Sequence, residues 1–458
     1  MSRKDDRTLR TSRRGFLAVT AGVVAAAGTG LGAAVPAAAV DETKADPGPA
    51  APGRKEIEPF WGLHQGGIAT PAQQHSYFAA FDLTTSRRED VIALLRSWTS
   101  AAARMAAGET AQSLEDGLNP VGSDSDAKTK GYDDEEKRDP RTMAADSGEA
   151  LELSPARLTV TFGFGGGLFS KDGKDRYGLA SRRPVALVEL PKFTGDQLVE
   201  AQTGGDLAVQ ACADDPQVAF HAVRQLVRLA ENVAQLRWVQ TGFIPGYKAG
   251  DTPRNLMGFR DGTNNPSGED PKAMDKFIWV GGEGPGWMHG GSYLVVRRIR
   301  IALEHWDRMK VAFQEETVGR HKYSGAPLGK QKEFDALDLD ATDKDGNPLI
   351  PENSHVRLAA AASNDGAQIL RRPYSYNDGI NFTAERWPPW RQGLEYDAGL
   401  FFVAYQRDPR TGFIKIFEKM SKLDMMNQFV THVGGGLFAC PGGAAEGGFI
   451  GQALFEEV

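Results

Sequence analysis

Short β-rich runs punctuate the chain and come in similar pairs. His75-Ser-Tyr-Phe-Ala-Ala-Phe-Asp-Leu resembles Gly291-Ser-Tyr-Leu-Val-Val-Arg-Arg-Ile. Each run is followed by a segment with helical character, Arg88 to Ala106 and Ala302 to Phe313. Farther along, Asp206-Leu-Ala-Val-Gln-Ala-Cys-Ala-Asp-Asp-Pro resembles Gly399-Leu-Phe-Phe-Val-Ala-Tyr-Gln-Arg-Asp-Pro. These two lead into helix patterns at Val218 to Trp238 and Phe413 to Met425. Between the ordered runs lie two polar stretches. Residues 40–58, rich in Pro, Ala and charge, read as a linker, so the globular part begins near Pro59. Residues 109–150, including Gly131-Tyr-Asp-Asp-Glu-Glu-Lys-Arg-Asp, read as a solvated insertion.

Two units of strand, helix, further strands and helix, repeated in the same order, predict an α+β fold made by duplication. The unit that fits is a ferredoxin-like βαββαβ sandwich. A length of 458 residues agrees with two domains, placed at 59–245 and 246–458. The 41% hydrophobic and 25% charged residues are those of an ordinary globular chain. A net charge of −7 argues against a nucleic-acid partner, which would call for clustered Lys and Arg. Cys212 and Cys440 stand far apart, so neither a disulfide scaffold, a zinc ribbon nor an iron–sulfur cluster is expected. Both read as buried small hydrophobes.

The N-terminus adds an address. Ser12-Arg-Arg-Gly-Phe-Leu, an Ala/Gly-rich stretch from Ala18 to Ala34 and Ala37-Ala38-Ala39 form, in that order, a twin-arginine signal over residues 1–39 with a small-residue cleavage pattern. The stretch is too rich in Gly and Ala for a stable membrane span. Export outside the cell or to its envelope is the expectation. Because that route carries folded proteins, it suits an enzyme whose cofactor is inserted beforehand.

Three segments carry chemistry. Gly258-Phe-Arg-Asp-Gly-Thr-Asn-Asn-Pro sets two glycines around a carboxylate, as in a tight loop; composition alone favours a surface turn. In Asn353-Ser-His355, Asn353 or Ser354 could cap a short helix that starts at His355. The eight histidines form no multi-histidine metal motif, so a bound metal would take one histidine and draw its other ligands from a cofactor such as haem. In Ile369-Leu-Arg-Arg-Pro, adjacent arginines on an extended segment point to opposite sides, one to a pocket and one to solvent. A structural histidine and two surface arginines are the plainer readings.

Taken together, the segments from Pro59 to the C-terminus resemble the dye-decolorising peroxidase family, particularly its exported, deferrochelatase-like branch. The likeness runs through Pro59-Phe-Trp-Gly-Leu-His-Gln-Gly-Gly, Leu158-Thr-Val-Thr-Phe-Gly-Phe-Gly, Gly204-Gly-Asp-Leu and the GxxDG loop at 258–262. It continues through Gly319-Arg-His-Lys-Tyr-Ser-Gly to the His355 and Arg371 segments. The resemblance implies paired ferredoxin-like domains in a barrel-like arrangement, with one haem b per chain in the C-terminal half. It makes His355 the proximal iron ligand and Asp261 and Arg371 the distal pair. Gly262, Thr263 and Asn264 would line the haem, Arg320 would pair with a propionate, and Asp397 would accept the other N–H of His355. The implied activity is reduction of hydrogen peroxide with oxidation of dye-like, phenolic or other one-electron donors through a ferryl intermediate. Haem or iron handling in an uptake system is the alternative. Electron transfer to another secreted metalloenzyme, docked through 109–150, is a third reading, and homo-oligomerisation stays open. Tyr374, Tyr376, Trp387 and Trp390 are candidate electron relays, although for any one of them an ordinary core or surface aromatic is the plainer reading. One departure stands out: Ala359 to Ala362 replace the Asn-Pro-Arg that many relatives carry after the histidine.

Overall fold

The computed structural model describes residues 56–114, 144–246, 251–384 and 392–456, with backbone only at 381–384 and 392–394. The export signal, most of the linker, most of the 109–150 insertion, Trp387 and Trp390 lie outside the described residues.

The first half runs β1 (His75–Leu83), α1 (Arg88–Ala106), β2 (Thr159–Phe164), the one-turn α2 (Gly166–Phe169), β3 (Leu207–Ala213), α3 (Pro216–Leu229) and β4 (Ala234–Phe243). The second runs α4 (Pro271–Phe277), β5 (Ser292–Ile301), α5 (Leu303–Trp306), α6 (Val311–Val318), α7 (His355–Ala359), β6 (Leu370–Arg371), β7 (Tyr374–Ala384), β8 (Gln392–Gln406), α8 (Phe413–Leu423), β9 (Val430–Cys440) and α9 (Gln452–Phe455). No helix among the described residues is long and apolar enough to cross a membrane.

The expected β1 and α1 fall where the pattern places them, and three helices differ. The segment expected as a helix from Val218 to Trp238 starts at Pro216, where Asp215 accepts from the N–H groups of Gln217 and Val218, and stops at Leu229. Asn232 then takes a left-handed conformation (φ 66°), and Ala234-Gln-Leu-Arg-Trp-Val becomes strand β4 beside β1. Its alternating burial, not its helical spacing, decides the outcome. The Ala302–Phe313 helix is split into α5 and α6, because the chain is extended at Lys310. The Phe413–Met425 helix ends at Leu423, where Asp424 turns extended and caps a 3-10 turn at Met425–Gln428.

Eight strands close on themselves in the order β5-β9-β2-β3-β1-β4-β7-β8, with β8 pairing back to β5, and every pair is antiparallel. Two of the joints are narrow. β2 meets β9 at Phe164–Ala439, and β4 meets β7 at Phe243–Ser375. β6 lies outside this ring, on β8. Strand periodicity then sorts the side chains between the two surfaces of the ring. Phe78, Ala80, Val296, Phe401, Val403 and Phe438 pack together on one surface. Ala79 and Phe81 face the other way, against α1 and α3. Cys212 and Cys440 are buried and unbridged, as expected.

Candidate active site

The surface of β5 and β8 opposite the Phe78 cluster does not pack flat against its helices. Ile299, Ile301, Leu400 and Phe402 from the strands, and Ile416 and Met420 from α8, wall a cavity of about 240 Å³. These walls are apolar, and the polar groups cluster at two places.

The first is His355, at the start of α7. Ser354 holds the N-cap position but does not cap the helix, and neither does Asn353: the Ser354 hydroxyl donates to the Pro351 carbonyl at 2.7 Å instead. The His355 Nδ1 lies 2.7 Å from Asp424 Oδ2. Asp424 is itself fixed, since its Oδ1 accepts from the Met426 N–H at 2.8 Å. Burial disfavours a charged imidazole, but the charge and hydrogen bond of Asp424 outweigh it, so the His355 pKa is raised above its ordinary value. The ring is enclosed by protein, yet 37% of the side chain stays exposed, as befits a wall of the cavity. With Nδ1–H donating to Asp424, the Nε2 lone pair is left for a metal. Asp397, the expected partner, is elsewhere: its Oδ1 accepts from Arg298 at 2.9 Å, in a cluster with Asp378 on the strands. Asp424 was not singled out in the sequence, which placed it inside a helix pattern from Phe413 to Met425.

A second imidazole, His432 on β9, also lines the cavity. Its Nδ1 accepts from Arg297 Nε at 3.0 Å, and Arg297 is paired with buried Asp196. Burial first, then the Arg297 charge, push its pKa well below the ordinary value. A neutral ring whose Nδ1 accepts must carry its proton on Nε2, so it has no lone pair for a metal. Among the described residues, His355 and His432 are the imidazoles that line the space, and hydrogen bonding leaves an Nε2 lone pair on His355 alone of the two.

The second polar place is the loop carrying Asp261. Asn255 Oδ1 accepts from the N–H groups of Met257 and Phe259, and an Arg254–Arg260 bridge closes the loop. Gly262 takes φ +119°, which a side chain would resist. The carboxylate is therefore turned inward, not onto a surface turn: Asp261 Oδ1 meets Arg371 Nη1 at 2.6 Å on the cavity wall. Gly262, Thr263 and Asn264 line the cavity beside it, as do Arg320 and Ala359 to Ala361. Arg320 already donates through Nη1 to the carbonyls of Gly325 and Glu333. Glu333, which the sequence did not single out, also receives the Thr263 hydroxyl at 2.9 Å and pairs with Arg260 at 3.2 Å. Arg371 and Arg372 do point apart, but Arg372 is not in solvent. It is buried against Gln73 Oε1 at 2.8 Å and the Thr70 carbonyl. Tyr374 and Tyr376 are buried too.

Asp146, Glu149 and His221 form another cluster of metal-type side chains among the described residues, outside the cavity. There the carboxylates face opposite ring nitrogens, at 3.4 and 3.3 Å, as ion pairs do around one imidazole.

One carboxylate-bound imidazole and an arginine–carboxylate pair on the walls of one apolar cavity suit a histidine-ligated haem handling an oxygen ligand. The donor set and the apolar walls fit such a group, and the class is that of a haem peroxidase. The family models agree. Residues 65–244 match the N-terminal and residues 252–445 the C-terminal model of the Dyp-type peroxidases, and the chain belongs to that family. It is 38% identical to a dye-decolorizing peroxidase of Thermobifida fusca, across the whole of both chains. It is 33% identical to a deferrochelatase of Escherichia coli, across 99% of both. The structure resembles an oxyferrous complex of DtpA from Streptomyces lividans with a TM-score of 0.73 and 40% identity, over 87% of this chain and 98% of that one.

Proposed function

We propose that His355 would hold the haem iron and that Asp261 and Arg371, on the walls of the same cavity, would act on peroxide. The observation that carries this is the pairing of Asp261 with Arg371 on the cavity that also holds the Asp424-bound imidazole. Haem, when bound, supplies the iron at which peroxide is reduced and the oxidising power passed to a donor. His355 would bind it through Nε2, while Asp424 fixes the ring orientation and makes the imidazole more electron-rich. The Asp261 carboxylate would take a proton from one peroxide oxygen and return it to the other. As the O–O bond breaks, the Arg371 guanidinium faces the growing negative charge from a fixed position. Arg320 stands on the wall, where its remaining N–H groups would suit a haem carboxylate. Arg371→Leu should slow the reaction of the haem-loaded enzyme with peroxide by about 100–1000-fold in stopped flow. A rate within a factor of two of the parent would refute the assignment.

The strand orders β2-β3-β1-β4 and β9-β5-β8-β7 support reading the two halves, 59–245 and 246–458, as duplicated ferredoxin-like units with the haem in the second. The 33% identity to a deferrochelatase favours a second reading, haem or iron handling, through the same cavity. Dye-like or phenolic donors are the proposed reductants. The twin-arginine pattern at Ser12–Leu17 supports export. Lysine at both Arg13 and Arg14 should keep haem-loaded protein in the cytoplasm, and unchanged export would contradict that route.

A further inference from the structure

The short strand β6 is paired along one edge only, with Leu370 opposite Tyr405 and Arg371 opposite Ala404 of β8. The N–H of Arg372 donates across that edge to the Val403 carbonyl at 2.8 Å. Successive residues of a strand turn their main-chain groups to opposite edges, so the N–H and C=O of Arg371 face away from β8. No strand lies there among the described residues. A side chain takes its place: Asn265 Oδ1 accepts from the Arg371 N–H at 2.9 Å, and Asn265 Nδ2 donates to the Arg371 carbonyl at 2.7 Å. One primary amide supplies both halves of the missing ladder step. Asn265 is tied back in turn, since its own N–H donates to the Gly262 carbonyl at 3.1 Å. That turn begins directly after Asp261, whose N–H donates to the Pro253 carbonyl at 2.9 Å.

We propose that Asn265 is a positioning residue for peroxide chemistry, its side-chain amide locking the strand that carries Arg371 onto the loop that carries Asp261. This rests on Asp261 and Arg371 being the pair that handles peroxide. The side-chain ion pair at 2.6 Å and the amide clamp are two independent ties between the same loop and strand. The clamp holds the backbones in register when peroxide comes between the side chains. Only asparagine meets the requirement. Aspartate has no donor and sets an oxygen against the Arg371 carbonyl, serine offers one short hydroxyl, and glutamine is a methylene too long.

Asn265→Ala and the isosteric Asn265→Asp should both lower the rate constant for peroxide by about 10–100-fold, the scale of a misplacement near 1 Å. Haem stoichiometry and the KM for a reducing dye should not change. On an Arg371→Leu background, adding Asn265→Ala should cost less than about twofold, because both act through one group. In the haem-free protein, the Arg371 amide hydrogen should exchange about tenfold faster in Asn265→Ala than in the parent, having lost its acceptor. An unchanged peroxide rate in Asn265→Asp beside a slow Arg371→Leu overturns the positioning role and leaves the distal pair standing. Full additivity of the two substitutions overturns it as well. If Arg371→Leu alone leaves the rate unchanged, the reading of the pair fails instead, and amide exchange at Arg371 still decides whether Asn265 holds the strand.

Discussion

The β1–β4 half and the β5–β9 half carry matching strand orders, but the space under their helices is filled differently. In the first, α1 and α3 press on the strands, and Trp98 fills the gap with none of its surface exposed. Its indole N–H donates to the Leu226 carbonyl of α3 at 2.8 Å, so the largest side chain there is also a tie between helices. In the second, the connection from β5 to β7 is long and broken into short helices. One of them, α7, is only five residues and begins with His355. Where the first half has Trp98, the second has a cavity with apolar walls and two polar clusters. A filled layer contributes stability. The difference separates a half that is packed solid from a half that carries the proposed site.

Truncation tests that separation most severely. Trp98→Ala should destabilise the protein by about 3–5 kcal/mol in denaturant unfolding, while the peroxide rate of the folded fraction stays that of the parent. Ile416→Ala, on the cavity wall, should cost the haem-free protein less than half as much, because that side chain packs against other protein groups on one face only. Equal losses at the two sites would erase the contrast between the halves.

A smaller effect sharpens the assignment within the second half. Asp424→Asn keeps the shape and the cap of the 3-10 turn but removes the charge facing His355. Haem should then bind about 10–100-fold more weakly, with little change in stability. Asp397→Asn should leave haem affinity as it is, since Asp397 meets Arg298 and not the imidazole. Hemin titration of both haem-free variants is the comparison, and the reverse ranking would restore Asp397 as the partner.

The proposed site residues were legible through the family resemblance, carried by short strings that composition alone reads as a surface turn, a structural histidine and two surface arginines. Asp261 lies between two glycines, one of which needs a positive φ. Arg371 belongs to an arginine pair on a strand, where alternation separates its two members. His355 is the first residue of a short helix. The groups that act on these residues were not legible. Asp424 lies 69 residues from His355, and Asn265 lies 106 from Arg371, so both contacts exist only after folding. The resemblance pointed to Asp397, but on β8 it pairs with Arg298 of the neighbouring strand β5. In the fold, α1 could be read because its apolar stripe faces one layer. The stretch after α3 could not, because Ala234 to Phe243 suits helical spacing until β1 recruits it as a strand. The arginine expected in solvent is buried because its guanidinium meets Gln73 and the Thr70 carbonyl in the segment before β1, which alternation along one segment does not reveal.

The central claim is that His355 Nε2 is the ligand that holds haem in the C-terminal half. The most direct measurement replaces His355→Gly, supplies hemin, and records the absorption and electron paramagnetic resonance spectra with and without added imidazole. The predicted result is loss of the histidine-ligated ferric signature in the variant and its return when imidazole enters the vacated space. An unchanged signature without imidazole would assign the iron to another side chain and contradict the account.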